Sequence, residues 1–298
     1  MTVTIPIEAR FQPQVLRNEP LSRHTSWHVG GPADVFFMPR DRDELLAFLR
    51  ALPPDVPLLW LGLGSNLLVR DGGVRGVVVA TGDALKGLER RGNDGVYVEA
   101  GVPCARLARQ CARWQLGPAS FFAGIPGTMG GALAMNAGAF GGETWPLVRS
   151  VETVDRAGEV RTRAATEYAS AYRAVTAPVD GEWFLAATLQ LQPGADETHM
   201  RELLERRRQT QPIGEWSCGS VFTNPPGDHA ARLIEACGLK GLRIGGAVVA
   251  QKHANFILNE GEANARDIEA LIAQVQATVA ERHGVTLHPE VRVVGELA

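Results

Sequence analysis

The sequence predicts an α+β chain of more than one unit, and three observations carry that expectation. Apolar runs of strand length and segments of helical period mix without strict strand–helix–strand alternation. The 298 residues suffice for two or three modest cores, because single domains usually hold about 100–200 residues. A charged segment that stops at Pro212 separates a long N-terminal part from a shorter C-terminal one.

The elements follow in chain order. Residues 35–38 are a short apolar, aromatic strand. Asp41 or Asp43 caps a helix over 44–52 that buries Leu45, Leu46, Phe48 and Leu49, and Pro53-Pro54 ends it. A strand over 58–62 enters a glycine turn, and strands follow at 77–80 and 96–100. Pro103 opens a helix reaching about Trp114. Residues 120–142 are mostly loop, glycine-rich far above background, so the backbone itself is the working part. Strands at 150–155 and 183–191 precede a charged helix over 198–209. Beyond Pro212 the pattern gives a helix near 228–237, a strand near 254–258, a long helix over 265–283 and a strand over 291–294. No internal repeat is present.

Bulk properties remove several classes. A net charge of −3, from 30 basic and 33 acidic residues, lacks the basic excess of a nucleic-acid binder. No run of about 18 apolar residues and no secretory h-region is visible, so a cytoplasmic protein is expected. The four cysteines (Cys104, Cys111, Cys218 and Cys237) form no C-x-x-C pair. The histidines lack metal-ligand spacing, so no metal is expected. Cys104 and Cys111 lie seven apart on one helix face and should pack in a core.

Two glycine segments carry ligand chemistry. Gly62-Leu63-Gly64-Ser65-Asn66 follows an apolar strand. Glycines admit a pyrophosphate close to the backbone, and Ser65 and Asn66 add donors. Leu67 stands where a Rossmann fingerprint needs glycine, so that fold is excluded. A plain tight turn is the competing explanation. The second segment is Gly124-Ile125-Pro126-Gly127-Thr128-Met129-Gly130-Gly131, followed by Met135-Asn136-Ala137-Gly138-Ala139. Its small residues leave room for a flat ring. Its apolar members Ile125, Met129, Leu133 and Met135 argue for a packed loop rather than a mobile lid.

These two segments, with Thr25-Ser26-Trp27-His28-Val29-Gly30-Gly31-Pro32-Ala33, resemble the UDP-N-acetylenolpyruvoylglucosamine reductase family over about residues 18–295. The resemblance implies an FAD fold of the p-cresol methylhydroxylase/vanillyl-alcohol oxidase type. Its two α+β subdomains are expected at 1–82 and 83–209, with the flavin domain as a whole near 29–195. A C-terminal α+β substrate domain follows at 210–298. Flavin contacts are expected from Gly62, Gly64, Ser65, Asn66, Gly124, Ile125, Pro126, Gly127, Thr128, Gly130, Gly131, Asn136 and Gly138.

Three further motifs gain meaning only beside that resemblance. Tyr172-Arg173 is by itself an ordinary dipeptide, but it is similar to the family's active-site Tyr-Arg. Val175 stands where the family usually has Ser or Thr. In Gly219-Ser220-Val221-Phe222-Thr223-Asn224-Pro225, a turn serine is the simpler explanation. The resemblance instead makes Ser220 a proton donor and Asn224 a substrate contact. In His288-Pro289-Glu290-Val291-Arg292, it implies that Glu290 is catalytic and Arg292 faces substrate. Strand alternation would put those two side chains on one face. Arg208 and His253 complete the expected substrate contacts with Tyr172. Only 47 residues separate Arg173 from Ser220, which fits the shorter, type II form.

The implied activity uses NADPH to reduce non-covalently bound FAD, and the reduced flavin to reduce an enolpyruvyl UDP-sugar to UDP-N-acetylmuramate. A monomer acting on this small molecule, with no nucleic-acid or membrane partner, is expected. Rival functions are a flavin oxidase of the vanillyl-alcohol oxidase group and a non-catalytic nucleotide-binding module.

Overall fold

The structure, a computed structural model, describes residues 5–194 and 197–298. Its contacts divide the chain into two compact units. One comprises Met1–Arg17, Val35–Leu63 and Gly76–Arg206, and the other Asn18–Asp34, Gly64–Arg75 and Arg207–Ala298. The second unit therefore gathers two N-terminal segments that a linear division at residues 82 and 209 assigns elsewhere. The α+β class is as expected.

In the first unit, helix α1 (Arg42–Ala51) starts on Asp41, whose carboxylate accepts from the Glu44 amide at 2.8 Å. Phe48 of α1 stacks on Phe37, with Phe11 edge-on to both. Leu46 is only half-buried, and Glu44 is buried in its stead, where it receives Arg40. The strand Leu58–Leu61 runs parallel to the end of Val74–Ala80. A five-stranded antiparallel sheet has the order Val160–Ala164, Val148–Asp155, Glu182–Gln190, Gly95–Glu99, Leu88–Arg91. Helix α2 (Cys104–Arg113) buries Cys104, Leu107, Ala108 and Cys111. Burial pushes both thiols up to about 12, so they remain protonated core groups, as their spacing suggested.

The segment expected as loop contains helix α3 (Met129–Met135). Its glycines disfavour a helix, but packing overrides propensity. A Cβ on Gly130 would lie 3.0 Å from the Ala100 side chain, so the glycine lets α3 close onto the end of the sheet. The Met129 and Gly130 amides donate to the Val102 and Ala100 carbonyls at 2.9 and 2.8 Å. Helix α4 (Glu197–Thr210) closes the unit and continues past its boundary.

The second unit packs α5 (Ala230–Ala236) on α6 (Ala265–His283). A three-stranded sheet, Arg243–Ile244, Ala247–Val249 and Ile257–Asn259, lies against α6. The bounds of α6 are legible because its signals agree. Asn264 and Asp267 form a capping box, and Gly284 ends the helix at φ +66°. Asp71 adds a second acceptor for the α6 start, taking the Ala265 and Arg266 amides at 3.0 and 3.2 Å. The strand expected near 254–258 begins only at Ile257, because Phe256 turns back to donate to the His253 carbonyl. Leu67–Val69 pairs in parallel with Arg292–Val294, so Glu290 precedes the strand and the same-face argument does not reach it.

Candidate active site

Two constellations emerge, one in each unit. In the first, Thr128 caps α3, accepting from the Gly131 amide at 3.5 Å. A Cβ on Gly62 would sit 2.6 Å from the Thr128 hydroxyl, so the two glycine segments meet here. Gly131 is different. A Cβ there would find only that hydroxyl, at 4.0 Å, and the residue is exposed. Glycine costs a helix about 1 kcal/mol against alanine. With no steric demand inside the chain, the open face of Gly131 fits a ligand that approaches the backbone. Ile125 and Thr128 are buried, Pro126 is exposed, and the Gly127 amide donates to Ile125. The Met129 and Gly130 amides are engaged by the sheet, so the glycine segment presents fewer free donors there than its composition suggests.

At the other end of α3, Asn136 adopts the left-handed conformation at φ +46° and is 1% exposed. Its Nδ2 donates to Glu143 and to the Ala171 carbonyl, both at 3.0 Å, and its Oδ1 accepts from the Trp145 amide. Ala171 closes a short hairpin, Ala169–Ala171 against Ala174–Thr176, whose two-residue turn is Tyr172-Arg173. Arg173 sits at φ +55°, uncommon for a residue with a side chain. Its guanidinium lies over the Tyr172 ring at 4.9 Å and donates to the Gly138 carbonyl at 2.9 Å. Val175 is half-buried on the unit's core. Gly62, Gly124 to Gly138, Tyr172 and Arg173 thus belong to one unit, with Arg173 tied directly to the far end of the glycine segment.

In the second unit, Ser220 follows Gly219, which needs its φ of +86°. Val221 is the hub. Its amide donates to Asn255 at 2.9 Å, and its carbonyl accepts from the Glu290 amide at 2.7 Å. Asn66 joins the same backbone. Its Nδ2 donates to the Glu290 carbonyl at 3.1 Å, and its own carbonyl accepts from Arg292. Two residues before Asn66, Gly64 at φ +60° lets the chain pass the His24 carbonyl, which a Cβ would strike. Ser65 follows it, half-buried. Ser220, Glu290, Asn66 and Arg292 are therefore brought together. Burial, and then the charge of Glu290, push the Cys218 thiol well above its ordinary value. It is therefore a protonated, buried core thiol rather than a nucleophile.

The remaining candidates stand further out. Asn224 accepts from the Ala230 amide at 3.1 Å and so satisfies a first-turn donor of α5, whose N-cap is His229. Arg208 is exposed at the end of α4, where its carbonyl receives Lys252. Arg207, its neighbour, is the half-buried one, with its pKa lowered by desolvation. Among the described residues, no group of three or more His, Cys, Asp or Glu side chains is placed to hold a metal, and no helix is long and apolar enough to cross a membrane.

Sequence reasoning missed Asn255. It is 4% exposed and clamps Phe222 at both ends, accepting from its amide at 3.0 Å and donating to its carbonyl at 2.8 Å. A polar residue at the lip of the apolar run Phe256-Ile257-Leu258 was the available signal, since a buried amide must find partners. Buried Asn259 instead bridges two segments, donating to the Trp27 carbonyl at 2.8 Å and accepting from the Gly261 and Ala263 amides at 2.8 and 3.0 Å.

His253 supports this clamp, because its Nδ1 accepts from the Asn255 amide at 3.3 Å. Desolvation lowers its pKa. The folded state then binds fewer protons than the unfolded one near the ordinary histidine value of about 6.5, so stability rises with pH through that region. Thermal melts should therefore show a midpoint that falls as pH drops from 7.5 towards 5.5. His253→Gln should remove part of that fall, and an unchanged pH slope in the variant would contradict the assignment.

Comparison with known proteins defines first a class. Residues 33–163 match the FAD binding domain family, so the first constellation lies largely within a flavin-binding module. Residues 211–294 match the UDP-N-acetylenolpyruvoylglucosamine reductase C-terminal domain, which contains Ser220 and Glu290. UDP-N-acetylenolpyruvoylglucosamine reductase of Alkalilimnicola ehrlichii is 60% identical over 97% of this chain and 98% of its own. The enzyme of that name from Legionella pneumophila is 54% identical over 96% and 95%. The crystal structure of UDP-N-acetylenolpyruvylglucosamine reductase (MurB) from Thermus caldophilus superposes with a TM-score of 0.77, at 33% identity, covering 97% of this chain and 99% of that one. The chain belongs to the UDP-N-acetylenolpyruvoylglucosamine reductase family.

Proposed function

We propose that the chain catalyses the reaction of its family, reducing UDP-N-acetylglucosamine enolpyruvate to UDP-N-acetylmuramate for peptidoglycan precursor synthesis. FAD is bound non-covalently and NADPH is the reductant. The observation that carries the catalytic assignment is the bond from the Glu290 amide to the Val221 carbonyl, which fixes Glu290 beside the residue that follows Ser220. Bound FAD supplies the hydride, with NADPH as its source. The open face of Gly131 and the Gly62–Thr128 contact suit a flat cofactor on the backbone.

The chain's own residues do the rest. When hydride reaches the β-carbon of the enol ether, an electron pair moves through the α-carbon onto the substrate carboxylate. Arg173 faces that growing charge with a planar guanidinium that stays protonated. Glu290 sits close to the same carboxylate, and two ionised carboxylates there would repel, so Glu290 works there protonated or strongly hydrogen-bonded. The Ser220 hydroxyl gives its proton to the α-carbon and recovers one from solvent. A hydroxyl is a weak acid and serves only against so basic a carbon. Tyr172, Arg208, Asn224, His253 and Arg292 hold the UDP-sugar. In this assignment residues 1–82 and 83–209 are the flavin subdomains, the second also supplying Tyr172, Arg173 and Arg208 to the substrate, and 210–298 is the substrate domain, in a cytoplasmic monomer.

The test is an absorbance spectrum of purified protein, followed by NADPH oxidation with and without the enolpyruvyl UDP-sugar. A flavin band and substrate-dependent oxidation are expected. A colourless protein, or flavin reoxidised by oxygen but not by the sugar, would overturn the proposal.

A further inference from the structure

Asn136 was expected to serve the cofactor. Its side chain is poorly disposed to do so. An amide has two N–H donors and a carbonyl with two acceptor sites. Both Asn136 donors are engaged, on Glu143 and Ala171, and its oxygen takes the Trp145 amide, at 1% exposure. What the residue does reach is the turn bearing Arg173. The Ala171 carbonyl belongs to the last pair of the hairpin before Tyr172-Arg173. The Asn136 main-chain carbonyl lies 3.5 Å from Arg173 Nη1, beside the Gly138 carbonyl that Nη2 reaches at 2.9 Å. The left-handed conformation of Asn136, tolerated by asparagine, ends α3 at this point.

We infer that Asn136 is a positioning residue for Arg173: its amide ties the arginine's turn to the end of the glycine segment, and its backbone there helps aim the guanidinium. The inference rests on the catalytic reading of Arg173 and deepens it. Glu143 is part of the same device, because it accepts one of the two Asn136 donors and a Cβ on Gly138 would lie 3.2 Å from its side chain and 3.3 Å from Arg173 Nη1.

A double-mutant cycle tests this in the holoenzyme, with wild type, Asn136→Asp, Arg173→Ala and the double variant. Aspartate keeps the left-handed tolerance and an acceptor for Trp145, but it turns the donor into an anionic oxygen facing the Glu143 carboxylate and the Ala171 carbonyl, so both ties are broken by repulsion. The readout is the rate at which NADPH-reduced flavin is reoxidised by the enolpyruvyl UDP-sugar. Asn136→Asp should slow it about tenfold or more, and Arg173→Ala by roughly 10²–10³-fold. The double variant should be within about threefold of Arg173→Ala alone, because independent sites would instead multiply their losses to within about a factor of two. Flavin absorbance per protein should be unchanged in Asn136→Asp. Multiplying losses, or flavin lost from the single variant, would overturn the inference alone. A wild-type rate in Arg173→Ala would overturn the role of Arg173 with it. Asn136→Gly, which also accepts the left-handed conformation, gives the same cycle if the aspartate variant fails to fold.

Discussion

Ser220→Ala is expected to slow reoxidation of the reduced flavin by the enolpyruvyl UDP-sugar by roughly 10²–10⁴-fold, the range of a lost general acid, while NADPH still bleaches the flavin. The geometry makes the comparison clean. Ser220 is held by backbone on both sides, through Gly219 at φ +86° and through Val221, whose amide and carbonyl bond Asn255 and Glu290. None of these contacts uses the serine hydroxyl, so alanine should leave the fold and the placement of Glu290 intact. The loss should therefore fall on the second half-reaction, where a carbon must be protonated. Stopped-flow absorbance separates the two halves. Fast reoxidation by the sugar in the variant would remove Ser220 from the donor role, and slow bleaching by NADPH would show that it serves flavin reduction too.

How much of this was legible in the sequence depended on whether local signals agreed. Helix α6 was readable to the residue, because its capping box, apolar period and terminal glycine point the same way. Helix α3 was hidden because Gly130 reads as a breaker, while its role is to close on Ala100, a contact invisible before folding. The Tyr172-Arg173 turn was visible only as a dipeptide. Its hairpin strands, Ala169–Ala171 and Ala174–Thr176, are almost entirely exposed and too short for an apolar alternation to register. Glu290 was placed on a strand that starts at Arg292, the ordinary uncertainty of a strand end. In Arg206-Arg207-Arg208, a weakly amphipathic helix hid its phase, so Arg207 rather than Arg208 is the half-buried member. Asn255 was overlooked because a polar residue between apolar ones reads as a strand edge, whereas here it clamps the segment behind Ser220.

The same left-handed turn that hid Arg173 supplies the second large prediction, in which stability and activity part. A side chain at φ +55° costs about 1–2 kcal/mol, and glycine removes that cost. Arg173→Gly forfeits the charge-assisted bond to the Gly138 carbonyl, worth about 1.5–3 kcal/mol net. It also gives the unfolded chain more freedom, by about 0.5–1 kcal/mol. The losses exceed the gain by about 1–2 kcal/mol, so the variant should be only that much less stable than wild type in urea. Arg173→Ala keeps the strain without the guanidinium and should be the less stable of the two, by up to about 1 kcal/mol. Yet both should lose roughly 10²–10³-fold in reduction of the enolpyruvyl sugar, the usual effect of removing a donor aimed at developing charge. Backbone strain persists where the surrounding structure over-determines it, and here the hairpin and Asn136 hold the turn closed. If Arg173→Gly were both as stable and as active as wild type, the strain would have no function. If it were much less stable, Arg173 would be a structural residue of unit one, and the charge facing the substrate would have to come from another side chain.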